Sequence, residues 1–495
     1  MSTTVPPPVL DRAPAPAGVN YRYVIPICLV ATLGGLLFGY DTIVISGVIE
    51  PLTAHFHLSD SMKGFASGCV LLGCATGVLV VGPLSDRFGR KLAMFLAAAM
   101  FLVSAIGTSL PHDIWTFVAF RFVGGLGVGF ASISTPMYIA EVTPAAIRGR
   151  LVAVNQIAIA TGAVASAFMN YAITRLHGDA AGPALQVWMA ESGWRWMFAA
   201  GILPAIVFGL LLWPIPESPR WLVEKKRTEK AKAILTKVAG NGFAATEFAS
   251  IQASLNQEKG NWSELLTPRM RLPLFVGIAL AVLQQVTGIN VFSYFGPTIF
   301  KGLSASTRLD AGLLQAIMIT GASMLFTVIA ILTVDRWGRR PLMLAGTVGM
   351  CVSLLAMGVL AQFAPNQEAI GHRMLLLILL YIACFGLSAG PVVWVILAEI
   401  YPTAIRGRAL GLATCFLWIA DFLVTYTFAV MDAKDSWFVR NFHHAFPFYV
   451  YVFFCVIMYV VVWQYTPETK GRTLEEIEQF WHANRASGFP TGDIS

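Results

Sequence analysis

Glu141-Val-Thr-Pro-Ala-Ala-Ile-Arg-Gly-Arg150 returns 258 residues later as Glu399-Ile-Tyr-Pro-Thr-Ala-Ile-Arg-Gly-Arg408, identical at seven of ten positions. A second pair, Asp86-Arg-Phe-Gly-Arg-Lys91 and Asp335-Arg-Trp-Gly-Arg-Arg340, is offset by 249 residues. A weaker pair, Pro216-Glu-Ser-Pro-Arg220 and Pro467-Glu-Thr-Lys-Gly471, is offset by 251. Offsets this constant mark an internal duplication, and a repeat fixes architecture before any single motif does.

The repeats are separated by long apolar runs. The chain is 56% hydrophobic and only 12% charged, and a helix needs about 20 mainly apolar residues to cross roughly 30 Å of hydrocarbon. Twelve such runs occur, near 23–48, 65–84, 92–109, 114–138, 151–174, 196–213, 272–300, 313–334, 342–363, 374–398, 409–430 and 446–465. Each cassette follows the second, fourth or sixth run of its half. The sequence therefore predicts an all-α membrane protein with twelve transmembrane helices in two pseudo-symmetric six-helix bundles, related as parallel repeats with a ligand site between them near the midplane.

The expected divisions are a flexible N-terminus (1–22, rich in proline), the first bundle (23–213), a polar linker (214–271), the second bundle (272–465) and a tail (466–495). In the linker, Glu224-Lys-Lys-Arg-Thr-Glu-Lys-Ala-Lys-Ala-Ile-Leu235 alternates charge over an apolar face and reads as a short amphipathic surface helix, either a solvated linker or a brace for a gate. Thr473 with Glu476 looks like the cap of another short helix. Pro297 and Gly288 are expected to interrupt the seventh run.

The net charge of +7 raises the question of an acidic partner. Placing the N-terminus in the cytosol puts 25 of the 34 lysines and arginines on the cytosolic side, so the basic balance reports topology, with both termini inside and no nucleic-acid role. All seven cysteines lie in apolar runs, with no CxxC or histidine ladder, so neither disulfides nor a metal or other cofactor is expected. The first 24 residues lack the order of a cleaved signal, so the first run should remain in place.

Charge inside an apolar run is costly and marks a functional site by default. Asp41, at the end of Ala31-Thr-Leu-Gly-Gly-Leu-Leu-Phe-Gly-Tyr-Asp41, and Arg121, before Phe-Val-Gly-Gly-Leu-Gly-Val-Gly129, are such charges, and each needs a partner. We expect them to pair. Desolvation favours the neutral acid and the guanidinium favours the carboxylate, so Asp41 could load and release a proton, or the two could simply pin their helices together. Gly34, Phe38 and Asp41 share one helical face, while Gly125 and Gly129 suit close helix packing.

A second polar set, Gln284-Gln-Val-Thr-Gly-Ile-Asn290-Val-Phe-Ser-Tyr294, offers uncharged donors and acceptors. Gln156 and Trp394 add an amide and a flat aromatic face. These groups suit a neutral polyhydroxyl ligand better than an ion, although each glutamine alone could be a link between helices.

Taken together, Phe38-Gly-Tyr-Asp41, the Asp-Arg-x-Gly-Arg cassettes, Pro216-Glu-Ser-Pro-Arg220, Gln284-Gln-x-x-Gly-Ile-Asn290, Gly390-Pro-x-x-Trp394 and Pro467-Glu-Thr-Lys-Gly471 resemble the sugar porter family of the major facilitator superfamily, from about residue 23 to 480. Within it the chain closely resembles bacterial proton-coupled xylose and hexose symporters. The resemblance implies that Gln156, Gln284, Gln285, Asn290, Tyr294 and Trp394 contact a sugar and that Asp41 with Arg121 couples a proton. It further implies that Arg87, Glu141, Arg148, Arg336, Glu399 and Arg406 form cytosolic gate ion pairs.

Passive facilitators of the family usually carry Asn at the Asp41 position, which sides this chain with the symporters. Leu417 and Ser323 stand where amides are common, and Asp421 stands near an expected Asn, so the sugar's identity is open. Asp421 could donate as a neutral acid, accept sugar hydroxyls, titrate, or bond only within its helix. The expected function is thus proton-coupled import of a neutral sugar through the bacterial inner membrane by a monomer; the alternatives are an equilibrative facilitator and, more remotely, a sugar sensor. No enzymatic nucleophile with its base is present.

Overall fold

A computed structural model of the chain describes residues 18–176, 183–255, 262–265, 267–268, 270–303, 309–363, 367–402, 405–433 and 435–470. The N-terminal lead before residue 18 and the tail helix expected at Thr473 lie outside the described residues. Among those described, twelve helices are long and apolar enough to cross a bilayer. The spans are Tyr21–Phe56, Asp60–Phe88, Arg90–Ser109, Ile114–Val142, Ala145–Leu176, Ala184–Leu212, Arg271–Gly296, Gly312–Val334, Arg339–Phe363, Gly371–Glu399, Arg406–Met431 and Phe446–Tyr465.

Several spans start earlier than apolarity suggests. Ala145 to Arg150 and Arg406 to Arg408, which precede the fifth and eleventh apolar runs, are the first turns of the fifth and eleventh spans. Only Gly89 separates the second span from the third. Its φ of 105° lets the chain reverse in one residue, and Gly338, with φ 90°, does the same between the eighth and ninth. Four spans are interrupted: the first at Val44, where the backbone stays helical, the sixth at Ala200-Gly201, the seventh at Thr287-Gly288 with Gly288 at φ 90°, and the tenth at Ser388. Gly288 thus breaks its helix as expected. Pro297 does not, since the second segment runs Ile289–Leu303.

The halves meet along two seams, the second span against the eleventh and the fifth against the eighth. The duplication exchanges second with eighth and fifth with eleventh, so the two seams are equivalent by the internal repeat. Within the first half, glycine allows backbone contact. A Cβ at Gly39 would lie 1.9 Å from the Ile159 carbonyl oxygen, and one at Gly162 would lie 1.9 Å from that of Leu36. The first and fifth spans therefore pack without side chains between them at those levels.

The linker forms helices Pro219–Glu224, Thr228–Leu255 and Trp262–Leu265, the second kinked at Ala239-Gly240. It is longer than the helix expected over 224–235, because Trp221, Leu222, Ala231, Leu235, Ala244 and Ile251 bury one another in a small core of their own. Trp221 donates to the Asp86 carbonyl oxygen and Asn20 donates to that of Val238, which ties this unit to the first half.

Candidate functional site

The first and fourth spans bring Asp41 and Arg121 together. The Arg121 guanidinium lies 3.1 Å from the Asp41 carboxylate and donates to the Asp41 carbonyl oxygen at 3.1 Å, while its face sits 5.4 Å from the Phe198 ring. Arg121 is fully buried, whereas the Asp41 side chain keeps 14% exposure. Gly124 leaves room for this contact: a Cβ there would lie 3.4 Å from Asp41 Oδ2 and 2.5 Å from Ser104 Oγ. Asp41 Oδ2 and two of the guanidinium nitrogens have no hydrogen-bond partner, so the pair is held by charge more than by a completed network. Phe38, one turn before Asp41, packs on Trp418 of the eleventh span with ring centroids 5.8 Å apart. Gly34 packs instead on Thr135 and Phe208 of its own bundle.

Across that contact lies a chain of side-chain hydrogen bonds built on the break in the seventh span. Gln284 donates through Nε2 to the carbonyl oxygens of Ala389 and Gly390, at 2.7 and 2.9 Å, where the tenth span restarts. Asn290 donates to Gln285 Oε1 at 2.9 Å and to Asp421 Oδ2 at 2.7 Å. Gln284, Gln285 and Asp421 are buried, as is Tyr294 one turn beyond Asn290, while Gln156 and Trp394 are half-buried. The structure therefore joins Gln284, Gln285, Asn290 and Asp421, and Gln156, Tyr294 and Trp394 make no side-chain hydrogen bond to them. Thr287, placed on the same stripe, turns its hydroxyl back to its own helix, and its carbonyl oxygen accepts from Tyr381.

The glutamates of the repeats find partners other than those expected. Glu141 accepts from Arg90 at 3.0 Å and from the Ser218 hydroxyl; Glu399 accepts from Arg339 at 3.0 Å and from the Thr469 hydroxyl. Arg87 and Arg336 are exposed, and Arg87 lies over the Phe88 ring. Arg148 reaches Glu247 of the linker at 3.8 Å, and Arg406 donates to the Tyr401 carbonyl oxygen at 3.2 Å. The physical reason is the one-residue turn, which makes Arg90 and Arg339 the first residues of helices facing inward.

Sequence reasoning also missed two caps. The Glu217 carboxylate accepts backbone N–H bonds from Arg90, Lys91 and Ser218, and Glu468 accepts them from Arg339, Arg340 and Lys470. Each sits at the positive end of a helix, in space left by Gly89 or Gly338. Burial nevertheless pushes Glu217 above the ordinary carboxylate value, against the bonds from the Ser218, Lys91 and Arg90 amides and the Arg90 charge that pull it down. The recurrence of Pro-Glu-Ser/Thr at a 251-residue offset was the available signal.

The two ends of the seams differ. Away from the cassettes, Gly64 and Gly68 are pressed against Tyr426, Ala429 and Phe422, and Phe65 meets Phe422 edge-on. At the cassette end, Gly82, Gly149, Gly407 and Gly411 face open space. The site is thus closed from the side away from the cassettes.

A family model for the sugar (and other) transporters matches residues 27–481. The chain belongs to the sugar transporter family. Among curated family members it is similar to the D-xylose-proton symporter of Escherichia coli K12, at 42% identity over 93% of this chain and 96% of that protein. The arabinose-proton symporter of Bacillus subtilis is 37% identical, with 95% and 97% covered, and a glucose facilitated diffusion protein of Zymomonas mobilis is 35% identical, with 93% and 98% covered. Among solved structures, a major facilitator proton:xylose symporter bound to 6-bromo-6-deoxy-D-glucose superposes with a TM-score of 0.78 at 42% identity, over 93% of this chain and all of that one. The inward-open form of the E. coli xylose transporter gives 0.79 at 38% identity, with the same coverage. This sugar transporter family member is accordingly a multi-pass membrane transporter of the major facilitator fold.

Proposed function

We propose that the chain is a proton-coupled symporter that imports a neutral monosaccharide by alternating access through the bacterial inner membrane. One observation carries the reading: a buried acid and arginine pair, Asp41 with Arg121, stands one helical turn from the contact between the halves, across from an amide chain suited to hydroxyl groups. Gln156, Gln284, Gln285, Asn290, Tyr294, Trp394 and Asp421 are assigned to sugar contact. Gln284 Nε2 is committed to the tenth span and its Oε1 accepts from Gln285 Nε2 at 3.5 Å, so the second lone pair of Oε1 is what remains to receive a sugar hydroxyl.

In the cycle, Asp41 takes a proton from outside, which neutralises it and releases the hold on Arg121. Sugar then binds, the halves rock, and Asp41 loses the proton inside. One proton moving through about 100 mV supplies roughly 2.3 kcal/mol, enough for about 50-fold sugar accumulation. The excess of lysine and arginine at the cassette end assigns that end, and both termini, to the cytosol. Closure of the end away from the cassettes then fits the inward-facing member of the cycle. Glu141, Arg148, Glu399 and Arg406, joined by Arg90 and Arg339, belong to the inner gate, and a single chain completes the machine.

The test is uptake of labelled pentoses and hexoses into proteoliposomes under an imposed proton gradient. Uphill accumulation that disappears with Asp41→Asn, while exchange persists, supports symport. Downhill entry unaffected by the gradient would make the chain a facilitator with Asp41 as a structural pin.

A further inference from the structure

Asp421 is an acid with no exposure within the spans, and its surroundings differ from those of Asp41. It is wholly buried in the eleventh span, and Asn290 Nδ2, an uncharged donor, bonds to Oδ2 at 2.7 Å. Its other oxygen, Oδ1, has no hydrogen-bond partner. The Thr425 hydroxyl, one turn along the helix, lies beside the carboxyl as a second uncharged donor, and Trp418 Nε1, one turn before, is unpartnered. Among the described residues no cation forms an ion pair with Asp421. The groups on neighbouring elements within electrostatic reach of Asp421 are Cys74 of the second span and Tyr294 of the seventh, and both of these also feel the Asp41–Arg121 pair of the first and fourth. The thiol and the phenol bring no positive charge, and the Arg121 charge is already met by Asp41 at 3.1 Å. An isolated carboxylate in such a place is far too costly to persist, and a proton is the simplest remedy.

The residues that seal the outer side stand on the same helix around it. Trp418 packs on Phe38, Phe422 on Phe65 and Gly68, and Tyr426 and Ala429 on Gly64. Asp421 is therefore dry because that seam is shut. When the halves rock apart on the outer side, the contacts at 418, 422 and 426 separate and the turn carrying Asp421 meets water. In the present state Asp41 keeps 14% side-chain exposure and Asp421 has none. A proton on Asp421 therefore has no contact with water on either side while the outer seam is shut.

We propose that Asp421 is a second proton-binding site, loaded from the outer side as the outer seam closes and emptied to that same side when it reopens. The proton is a latch and is not transported. This rests on the alternating-access reading of the preceding section, but not on proton coupling through Asp41. The consequence is a closure equilibrium that depends on pH even without sugar, by up to about tenfold per pH unit where Asp421 titrates in the open state.

The experiment is a distance measurement by double electron–electron resonance between spin labels at Leu110→Cys and Trp437→Cys, exposed positions on the outer faces of opposite halves. The half-buried Cys351 and Cys384 are replaced by Ala, and the sugar-free protein in nanodiscs is titrated with acid and base. The expected result is a population that moves from closed to open outer seam as pH rises. Asp421→Asn should stay closed throughout, and Asp41→Asn should keep the shift. Infrared difference spectra of the Asp41→Asn protein supply a second readout that does not depend on Asp421→Asn folding: the C=O stretch of a protonated carboxylic acid should grow with the closed population.

A pH-driven shift retained in Asp421→Asn, or no acid band accompanying closure, would overturn the latch. A wild-type stoichiometry of two protons per sugar that falls to one in Asp421→Asn would overturn its non-transported character. Loss of sugar-coupled proton flux in the wild type would instead count against the proposed function and leave the latch measurement standing.

Discussion

Replacing Gln284 separates two roles that the amide could play. If it served only to accept a sugar hydroxyl, Gln284→Glu would keep an acceptor in place and bind at least as well as Gln284→Leu. The structure argues the opposite order. Gln284 Nε2 donates to two carbonyl oxygens, at 2.7 and 2.9 Å, which fasten the break in the seventh span to the restart of the tenth. Leucine removes two hydrogen bonds worth about 0.5–1.5 kcal/mol each, so about 1–3 kcal/mol in all. Those carbonyls head the helix Ala389–Glu399 and keep their helical donors, so no further desolvation cost is added. That amount should be lost from the stability of the fold, and sugar affinity should weaken with it as the break in the seventh span loosens. Glutamate sets an oxygen against two oxygens and should bind more weakly still, with a lower Tm than Gln284→Leu. Calorimetric titration of sugar into the purified variants, with thermal unfolding alongside, decides the matter. Glutamate matching or exceeding leucine would refute the reasoning.

Three further outcomes follow from other contacts. Arg90→Gln, which strands the nearly buried Glu141, should cost about 3–5 kcal/mol and depress Tm sharply, whereas Arg87→Gln on the exposed surface should leave Tm unchanged; equal effects would count against the assigned partners. Gly39→Ala drives a methyl into the Ile159 carbonyl and should destabilise by about 1–3 kcal/mol, measured by thermal unfolding, with Gly149→Ala, in open space, as the neutral control. His444 is held above the ordinary histidine value chiefly by its hydrogen bond to Asp432 at 2.7 Å, which joins the ends of the eleventh and twelfth spans. That contribution is complete below the unfolded value of about 6.5 and is lost as pH rises through the raised folded value. Tm should therefore decline over that window, and His444→Gln should flatten the decline.

The architecture was legible because it depends on quantities that sequence carries directly. Apolar run length counts the spans, and the recurrence of Glu141 to Arg150 at Glu399 to Arg408 divides them into halves. Gly288 announced its helix break, since few other residues take φ 90° without strain. The break at Ser388 carried no such sign. It arises where the seventh and tenth spans meet through Gln284, and tertiary contact overrides local preference. Partner choice at the cassettes was equally hidden. Arg87 and Arg90 look alike in Asp86-Arg-Phe-Gly-Arg90, and only the reversal at Gly89 decides which of them faces Glu141. In the candidate site, the pairing of Asp41 with Arg121 followed from charge alone, because neither is tolerable in hydrocarbon by itself. The union of Asn290 with Asp421 across 131 residues did not, because an amide and an acid each have many neutral ways to be satisfied.

Sugar-driven proton movement tests the central claim most directly. Energy-depleted proteoliposomes are given a panel of pentoses and hexoses while external pH is followed, with Asp41→Asn beside the wild type. The account predicts alkalinisation of the medium on addition of the transported sugar and none with the variant, which should still exchange labelled sugar. Labelled sugar entering the wild type with no pH change would contradict it and leave the Asp41–Arg121 pair as a fixed link between two helices.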